Sequence, residues 1–580
     1  MEEHLNHEKP NIDTGLQTKL LDNDNHDHRK GGLRTMPFII VNEAFERVAS
    51  FGLRPNMIFY LMEVYHMDAA TGTSILSVWA ALSDGLTIFG AFVSDSYFGR
   101  FWVIVIGSLF TLLGMTFIWL SSMLPQLTPS SCNELGMSCS QPSLTQLAFI
   151  FLSLGVLSFG SGCIRPCSIA FGADQLIHHP AYNNQRLIDS YFNWYYACVS
   201  SSSIVALTLI VYIQDKYGWQ VGFAVPALLM VCSALMFLLG SSLYVKVKVR
   251  ESPFLRSIQV LVIAFKKRKI SLLDDDFYNH SKRVDRVELT NNLRFLNKAC
   301  VIEDLSLESS SFDPWSISTV ENVESLKSLI RIIPMWSTGI LIYMTTSQSF
   351  PTLQAKTMNR HITSGFEIPA ASFSLFMVVV LTIWILFYDR FMVPFVARYT
   401  NEPRGLHPKT RMGIGILISI VAMMVSAEVE TVRRLVARSV YNPNSTVDMS
   451  AMWLVLQYAL YGLAEAFNAI GQIEFYYSEI PQSMSSIVMA LFILSNAISG
   501  LVGSFLINVV DSITSEGGQA SWLSSDINEG HLDYYYWLLC FLNLLNFFYY
   551  LACCCVHRSS SSSESRVSRE PGEVGSDRRR

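Results

Sequence analysis

Charged residues are scarce in this chain. Only 15% of its 580 residues are Asp, Glu, Lys or Arg, while 51% are hydrophobic. A soluble protein of this size would carry about 25% charged residues. The shortage argues against an ordinary soluble protein, and together with a mean hydropathy of +0.32 it indicates a protein that crosses a membrane several times.

Several familiar signals are also missing. The first thirty residues are polar and contain no apolar core like that of a secretory signal peptide, so we expect the first membrane segment to direct insertion. No basic face or nucleic-acid motif is visible, which predicts no nucleic-acid partner. No Ser-His-Asp grouping, H-E-x-x-H motif or Cys-rich cluster lies near the apolar segments. This disfavours an integral-membrane enzyme and predicts neither a metal nor a bound cofactor.

Apolar segments long enough to cross a bilayer, each of about 20 residues, recur twelve times. The predicted crossings are 36–60, 72–93, 102–123, 145–167, 193–213, 220–245, 329–349, 371–392, 412–428, 451–475, 486–510 and 534–556. The predicted class is therefore an all-α membrane protein of two six-helix bundles, with a substrate site between them near the midplane. The predicted segments are a disordered cytoplasmic tail (1–35), the first bundle (36–245), a cytoplasmic central loop (246–328), the second bundle (329–556) and a disordered cytoplasmic tail (557–580).

Basic residues are distributed unevenly between the loops. The central loop is rich in Lys and Arg, whereas 61–71, 123–144 and 511–533 contain neither. Because cytoplasmic loops carry the excess of Lys and Arg, both termini and the central loop are predicted to be cytoplasmic. One loop conflicts with this orientation, since three arginines that include Arg433 follow the ninth crossing. Pairing with nearby acids such as Glu430 would reconcile them.

Glu43, Glu46 and Arg47 lie within the first crossing, at a spacing that places them on one helical face. A charged side chain at the bilayer centre costs at least about 2.5–3.5 kcal/mol on insertion scales, so such residues normally face a wet cavity. Two carboxylates and a guanidinium on one face predict a proton-handling site.

These residues also carry a family resemblance. Glu43-x-x-Glu46-Arg47 resembles the E-x-x-E-R motif of the proton-coupled oligopeptide transporters, within the major facilitator superfamily. A second motif, from Gly90 to Arg100, is similar to that family's first signature. Stretches similar to the plant nitrate and peptide transporter branch are 160–167, 171–175, 293–299, 333–339, 388–390 and 463–467. The resemblance covers 30–558.

The resemblance implies a major facilitator fold and alternating access driven by protons. It assigns proton coupling to Glu43, Glu46 and Arg47. It implies a cytoplasmic gate that locks one conformation, formed by Gly90, Asp95, Gly99 and Arg100. The alternative for this second motif is a solvated loop with a helix cap.

Arg165 and Glu465 are charges inside the fourth and tenth crossings. A lone buried charge is costly, so each is expected to find an opposite charge across the bundle interface. We predict an Arg165–Glu465 ion pair that closes the inner side in the outward-open state, with a fixed structural pair as the alternative. The family usually has Lys where Arg165 stands, and Arg stays charged at physiological pH. Proton uptake is therefore placed on Glu43 or Glu46.

Departures from the family concern the substrate. Peptide-carrying relatives have a tyrosine where this chain has Phe51, and Thr346 replaces a histidine that would be a ready anion donor. Predicted pocket residues are Phe51, Tyr195, Tyr343, Thr346 and Gln348, although polar residues in crossings often only satisfy neighbouring backbone. Arg47 and Arg165 remain as the strongest anion-attracting groups.

The resulting prediction is a proton-coupled symporter of a small anion, with nitrate first. Hormones, glucosides and small peptides are the alternatives, as is an anion sensor without flux.

Expected partners are the solute, protons, the bilayer and a kinase acting on the tails; the oligomeric state is open. We expect the plasma membrane, with the vacuolar membrane as the alternative. A Cys132–Cys139 disulfide and glycosylation of Asn444 are further hypotheses for outside loops.

Overall fold

The computed structural model describes residues 31–130, 141–177, 185–247, 253–269, 289–290, 292–302, 315–363, 365–400, 405–439, 446–481 and 485–567. Helices dominate this part of the chain. The first six long helices are α1 (Met36–Glu63), α2 (Ala69–Val93), α3 (Arg100–Met123), α4 (Leu144–Ile177), α5 (Gln185–Val205) and α6 (Val211–Leu239). They are followed by α7 (Pro253–Lys266), α8 (Arg294–Asn297), α9 (Val320–Thr346), α10 (Phe350–Thr357), α11 (Ser374–Phe387), α12 (Val393–Thr400), α13 (Pro408–Ser439), α14 (Trp453–Glu479), α15 (Ser485–Thr514) and α16 (Leu532–Val567).

Twelve crossings can be traced through these helices. By length and apolarity alone, nine helical stretches of the described chain could span a membrane. One of them, Ser190–Ser242, contains two crossings, because Gly218 breaks α6 with a φ of 79°. That left-handed conformation favours glycine, and it reverses the chain so that 219–239 forms the sixth crossing. Helices α1 and α14 bring the total to twelve; both carry the buried charges that lower their apolarity.

We call α1–α6 the N-terminal half and α9–α16 the C-terminal half. Within the N-terminal half, α1 packs on α6 and α3 packs on α4; within the C-terminal half, α14 packs on α11 and α13. The two halves meet mainly along α2 and α15, and also where α5 contacts α11. At Gly500, an added Cβ would lie 2.6 Å from the carbonyl oxygen of Ser77, so glycine is needed for this close approach.

The halves are bonded together at the end that the loop charges predict to be extracellular. The hydroxyls of Ser74 and Ser504 lie 2.6 Å apart, and the backbone N–H of Ala69 donates to the Ser525 hydroxyl at 3.0 Å. Lys356, in α10, forms an ion pair with Glu63 at the end of α1. These contacts close the extracellular side, so the structure represents an outward-closed state.

Several helices extend beyond the predicted crossings. Helix α9 begins at Val320 rather than 329, because the Thr319 hydroxyl caps it by accepting from the Asn322 N–H. Helix α13 continues to Ser439, since Arg433 is fully buried and bonded to Glu430 instead of lying in a loop. Helix α16 runs to Val567, into the segment expected to be disordered.

The N-terminal tail is held in place from residue 31. The backbone N–H groups of Gly31 and Gly32 donate to the carbonyls of Leu243 and Gln175 at 2.7 and 2.8 Å, which anchors residues that were expected to be disordered up to 35. A short 3-10 turn at Leu33–Thr35 then leads into α1.

Four short strands complete the described structure. Strands β1 (Met358–Asn359) and β4 (Val447–Ser450) pair in parallel, and β2 (His361–Thr363) pairs antiparallel with β3 (Phe366–Glu367). The hypotheses about Cys132, Cys139 and Asn444 fall outside the described residues.

Candidate functional site

Helix α1 presents its buried charges toward the interior of the N-terminal half. Glu43 is 1% exposed and Glu46 is fully buried. The Arg47 Nε donates to Glu43 Oε1 at 2.9 Å, and the Ser50 hydroxyl donates to Glu46 Oε1 at 2.7 Å. Glu46 has no cation within ion-pair distance among the described residues, and its Oε2 has no hydrogen-bond partner.

Arg165 pairs within its own half. Its guanidinium donates to Asp84 Oδ1 on α2 at 3.2 Å. The predicted Arg165–Glu465 ion pair is not formed in this outward-closed structure, and the expectation that the partner lies across the bundle interface is wrong for this state. Helices α2 and α4 approach so closely, with Gly90 against the Gly162 carbonyl, that Asp84 is the nearer acid. A pair with Glu465 in the outward-open state stays a prediction.

Arg54 is a third arginine in the same region, and it was missed in the sequence. It lies seven residues beyond Arg47, hence on the same face of α1, and its guanidinium is 5.4 Å from the ring centre of Trp79. It interacts electrostatically with Arg165, Asp84, Arg47 and Glu46. Among the described residues it has no carboxylate within 4.0 Å. We call six residues the charge cluster: Glu43, Glu46, Arg47, Arg54, Asp84 and Arg165.

Two predicted pocket residues border this charge cluster. The Arg47 guanidinium lies 5.5 Å from the centre of the Phe51 ring. This is a cation–π contact, which does not require the hydroxyl group of a tyrosine. Tyr195, 3% exposed, interacts electrostatically with Glu43 and Arg47. Both aromatic residues therefore contact the charged face of α1.

The other pocket candidates belong to the C-terminal half. Tyr343 is buried, interacts electrostatically with Glu465 and donates to Gln472 Oε1 at 3.5 Å. In contrast, Thr346 donates to the Ile342 carbonyl at 3.2 Å, and Gln348 accepts from the Tyr535 hydroxyl at 3.4 Å. These last two side chains satisfy partners within their own half. Glu465 itself forms no ion pair with the described residues.

The cytoplasmic motif forms a compact ion-pair group. Arg100 Nε lies 3.5 Å from Asp95 Oδ1, and its Nη1 donates to Asp174 Oδ2 at 2.7 Å. Gly99 connects α2 to α3 with a φ of 76°, a value that glycine adopts without strain. Asp174, at the end of α4, is thus a further member of this group. Across the described chain, no cluster of three or more His, Cys, Asp or Glu could hold a metal.

Comparison with known proteins decides the family. A sequence model of the POT family, PTR2, matches residues 101–523. The chain is 47% identical over 534 residues to Protein NRT1/ PTR FAMILY 1.2 of Arabidopsis thaliana, covering 89% of this chain and 88% of the relative. The chain belongs to the POT family. It is therefore a membrane transporter of a proton-coupled family, and the predicted relationship and fold class are confirmed.

Other relatives support the same family, and solved structures support the same fold. Protein NRT1/ PTR FAMILY 1.1 of Arabidopsis thaliana is 46% identical over 532 residues, which cover 89% of this chain and 90% of the relative. The crystal structure of the POT family transporter PepTSo superposes with a TM-score of 0.67 at 18% identity, over 91% of this POT-family chain and 99% of that one. A POT family transporter in complex with 5-aminolevulinic acid superposes with a TM-score of 0.57 at 15% identity, over 89% and 97% of the two chains.

Proposed function

We propose that this chain is a proton-coupled symporter of a small anion, with nitrate as the first candidate substrate. One observation carries the proposal: the charge cluster contains three guanidinium groups and three carboxyl groups, but only two ion pairs. Glu43 pairs with Arg47 and Asp84 pairs with Arg165. Glu46 and Arg54 are left without an ion-pair partner among the described residues.

Glu46 is the proposed proton carrier. A buried carboxylate that lacks a cation at ion-pair distance pays a desolvation cost that its single hydrogen bond from Ser50 offsets only in part. Taking up a proton removes that charge. Glu43, in contrast, has the Arg47 guanidinium at 2.9 Å as an ion-pair partner. The structure thus favours Glu46 over Glu43, a choice that the sequence left open.

Arg54 is the proposed first contact of the anion. When all six groups are ionised, the charge cluster is neutral, and one proton on Glu46 leaves a single positive charge. A bound monoanion would restore neutrality, which supports coupling of one proton to one anion at this site. Guanidinium groups bind planar oxyanions such as nitrate or carboxylate through two parallel N–H donors.

Glu465 is the proposed partner of Arg165 during the transport cycle. In the outward-closed state Arg165 is held by Asp84, and Glu465 lacks an ion pair within the described chain. Opening toward the outside would bring the halves together at the cytoplasmic end and allow the Arg165–Glu465 pair to form. The cytoplasmic group of Asp95, Arg100 and Asp174 would fix the ends of the moving helices.

An organic carboxylate, such as a plant hormone, is the second candidate class. A POT-family structure of the same fold has been solved with 5-aminolevulinic acid, and the planar carboxylate presents the same oxygen geometry as nitrate. Small peptides find less support, because Phe51 replaces the tyrosine of peptide carriers, and glucosides stay an alternative. The membrane in question, plasma or vacuolar, stays a prediction.

Currents in oocytes test the coupling. Wild-type protein at the surface is expected to carry larger inward currents with nitrate at acidic than at neutral external pH. Glu46→Gln should abolish this pH dependence, because glutamine cannot take up a proton, while the exposed Glu516→Gln serves as a matched control that keeps it. Preserved pH dependence in Glu46→Gln would refute the assigned proton carrier. Absence of acid-dependent uptake of nitrate, carboxylates, glucosides and dipeptides by the wild type would refute symport and favour the sensor.

A further inference from the structure

Helix α7 has two apolar faces, of which only one is covered by the part of the protein that the structure describes. Val260 and Ile263 are fully buried and Ala264 is 5% exposed. These residues pack on one side against α8 and the first turns of α9, where Val323 and Leu326 are also buried. The fold of the protein therefore accounts for this face.

The opposite face of α7 is a stripe of exposed apolar side chains. Ile258 is 46% exposed, Leu261 is 46% exposed and Phe265 is 67% exposed. Their spacing of three and four residues places them along one side of the helix. Contiguous exposed apolar surface of this kind marks a contact with another protein or with a membrane.

The charge of this segment favours a membrane over a protein as the contact. Residues 253–269 contain no Asp or Glu, and their five basic residues include Lys266-Lys267-Arg268-Lys269 at the end of the helix. Arg268 lies over the ring of Phe265, at 4.4 Å from its centre, so that cationic and apolar groups share the same exposed end. The Lys266 and Lys267 ammonium groups contact backbone carbonyls of Trp315 and Val301.

The position of α7 matches the level of the bilayer surface. Its buried face packs on Val320, Val323 and Leu326 of α9. Leu326 precedes the predicted seventh crossing, which starts at 329, by about one helical turn, or about 5 Å. A helix at this level, with Leu and Phe on one face and Lys and Arg beside them, has the composition of helices that lie in the membrane interface.

We propose that α7 lies in the cytoplasmic leaflet and binds anionic phospholipid, with Ile258, Leu261 and Phe265 among the acyl chains and the basic end at the headgroups. The predicted orientation puts α7 on the side of the membrane where anionic lipids are concentrated. This surface is separate from the charge cluster and does not depend on the transported solute.

Lipid titration of the purified full-length protein in detergent tests the proposal. Thermal unfolding is followed while dioctanoyl phosphatidylserine or dioctanoyl phosphatidylcholine is added. For the wild type, phosphatidylserine is expected to raise Tm at much lower concentration than phosphatidylcholine. Lys266→Gln with Lys269→Gln should weaken the apparent phosphatidylserine affinity roughly 25-fold, which is about fivefold for each cation removed.

Two further variants make the result specific. Arg34→Gln with Arg398→Gln removes two exposed arginines elsewhere on the predicted cytoplasmic side and should leave the phosphatidylserine response unchanged. Leu261→Ser should weaken the response to both lipids, with an unchanged Tm in the absence of lipid because the side chain is exposed. Equal responses of the wild type to both lipids would overturn the proposal, as would an equal loss in the Arg34/Arg398 control.

Discussion

The third and fourth crossings of the two halves carry charged groups at matching places. In the N-terminal half, Arg100 at the start of α3 bonds to Asp174 at the end of α4 at 2.7 Å. In the C-terminal half, Arg411 near the start of α13 bonds to Glu474 near the end of α14, also at 2.7 Å. The cytoplasmic ends of both halves are thus tied by the same kind of ion pair.

In the middle of α4 and of α14 the two halves differ. Arg165 precedes Asp174 by the same nine-residue interval that separates Glu465 from Glu474. One position is therefore a cation and its counterpart an anion. Arg165 is paired with Asp84, whereas Glu465 has no ion pair within the described structure. The ends of the helices carry the same kind of ion pair, while their middle positions carry opposite charges, as the proposed Arg165–Glu465 pair would require.

The largest effect is expected at Arg165. Arg165→Ala leaves Asp84 without its partner inside the protein. Because the two side chains are 15% and 20% exposed, the expected cost is about 3 kcal/mol, the lower end of the range for a buried pair. Transport should fall because the proposed pair with Glu465 cannot form, with surface expression retained. Thermal unfolding should show that Asp84→Ala added to Arg165→Ala restores most of the lost stability. A double variant no more stable than Arg165→Ala would contradict the pairing.

Glu465 should respond in the opposite way. Glu465→Gln removes a carboxylate that has no ion pair in the outward-closed state, so the free energy of unfolding should stay equal or rise, while uptake falls because the predicted pair with Arg165 cannot form. Purified protein provides Tm and oocytes provide the rate. A loss of stability as large as that of Arg165→Ala would mean that Glu465 is already paired in this state.

The two cytoplasmic ion pairs should behave alike. Arg100→Ala and Arg411→Ala each remove a hydrogen bond to a charged group, worth about 1.5–3 kcal/mol. Each pair joins one well-buried and one more exposed side chain: Arg411 is 3% and Glu474 44% exposed, while Asp174 is 13% and Arg100 32% exposed. The two losses should therefore be of similar size. Denaturant titration of both variants checks this similarity, and a much larger loss in one of them would show that the two ends are not equivalent.

The smallest effect is expected at the ion pair between the halves. Lys356 and Glu63 are 47% and 45% exposed, and exposed pairs contribute about 0.2–1 kcal/mol. Lys356→Gln should therefore destabilise the outward-closed state slightly and make the extracellular side more accessible to impermeant labels. Glu516→Gln, remote from the contact between the halves, is the reference. Accessibility unchanged from the wild type would exclude a role in closure.

The sequence predicted the class of protein and a cluster of charges on α1 for identifiable reasons. Twelve apolar segments and the E-x-x-E-R motif are periodic or clustered signals, and the fold class that they predicted is confirmed. Asp84 and Arg54 were missed because each is an isolated charge within an apolar run. Their importance follows only from the packing of α2 against α4 and from the pairs that remain once Glu43 and Arg165 are satisfied.

The boundaries of helices were the least predictable part. Charged residues end a predicted crossing, yet α13 continues through Arg433 because Glu430, Asn528 and the Ile527 carbonyl satisfy its guanidinium. The pair with Glu430, three residues away, was predictable from the sequence. The other two partners lie nearly a hundred residues away, so no local pattern could reveal that the guanidinium is fully satisfied inside the protein.

The bend at Gly218 has a mechanical consequence. It joins the fifth and sixth crossings without a loop, so the two cannot part at their extracellular ends. The fifth crossing contacts α11 of the opposite half, and the sixth packs on α1 beside the charge cluster. Movement of the fifth crossing against the opposite half is therefore passed on directly to the sixth crossing, and through it to α1.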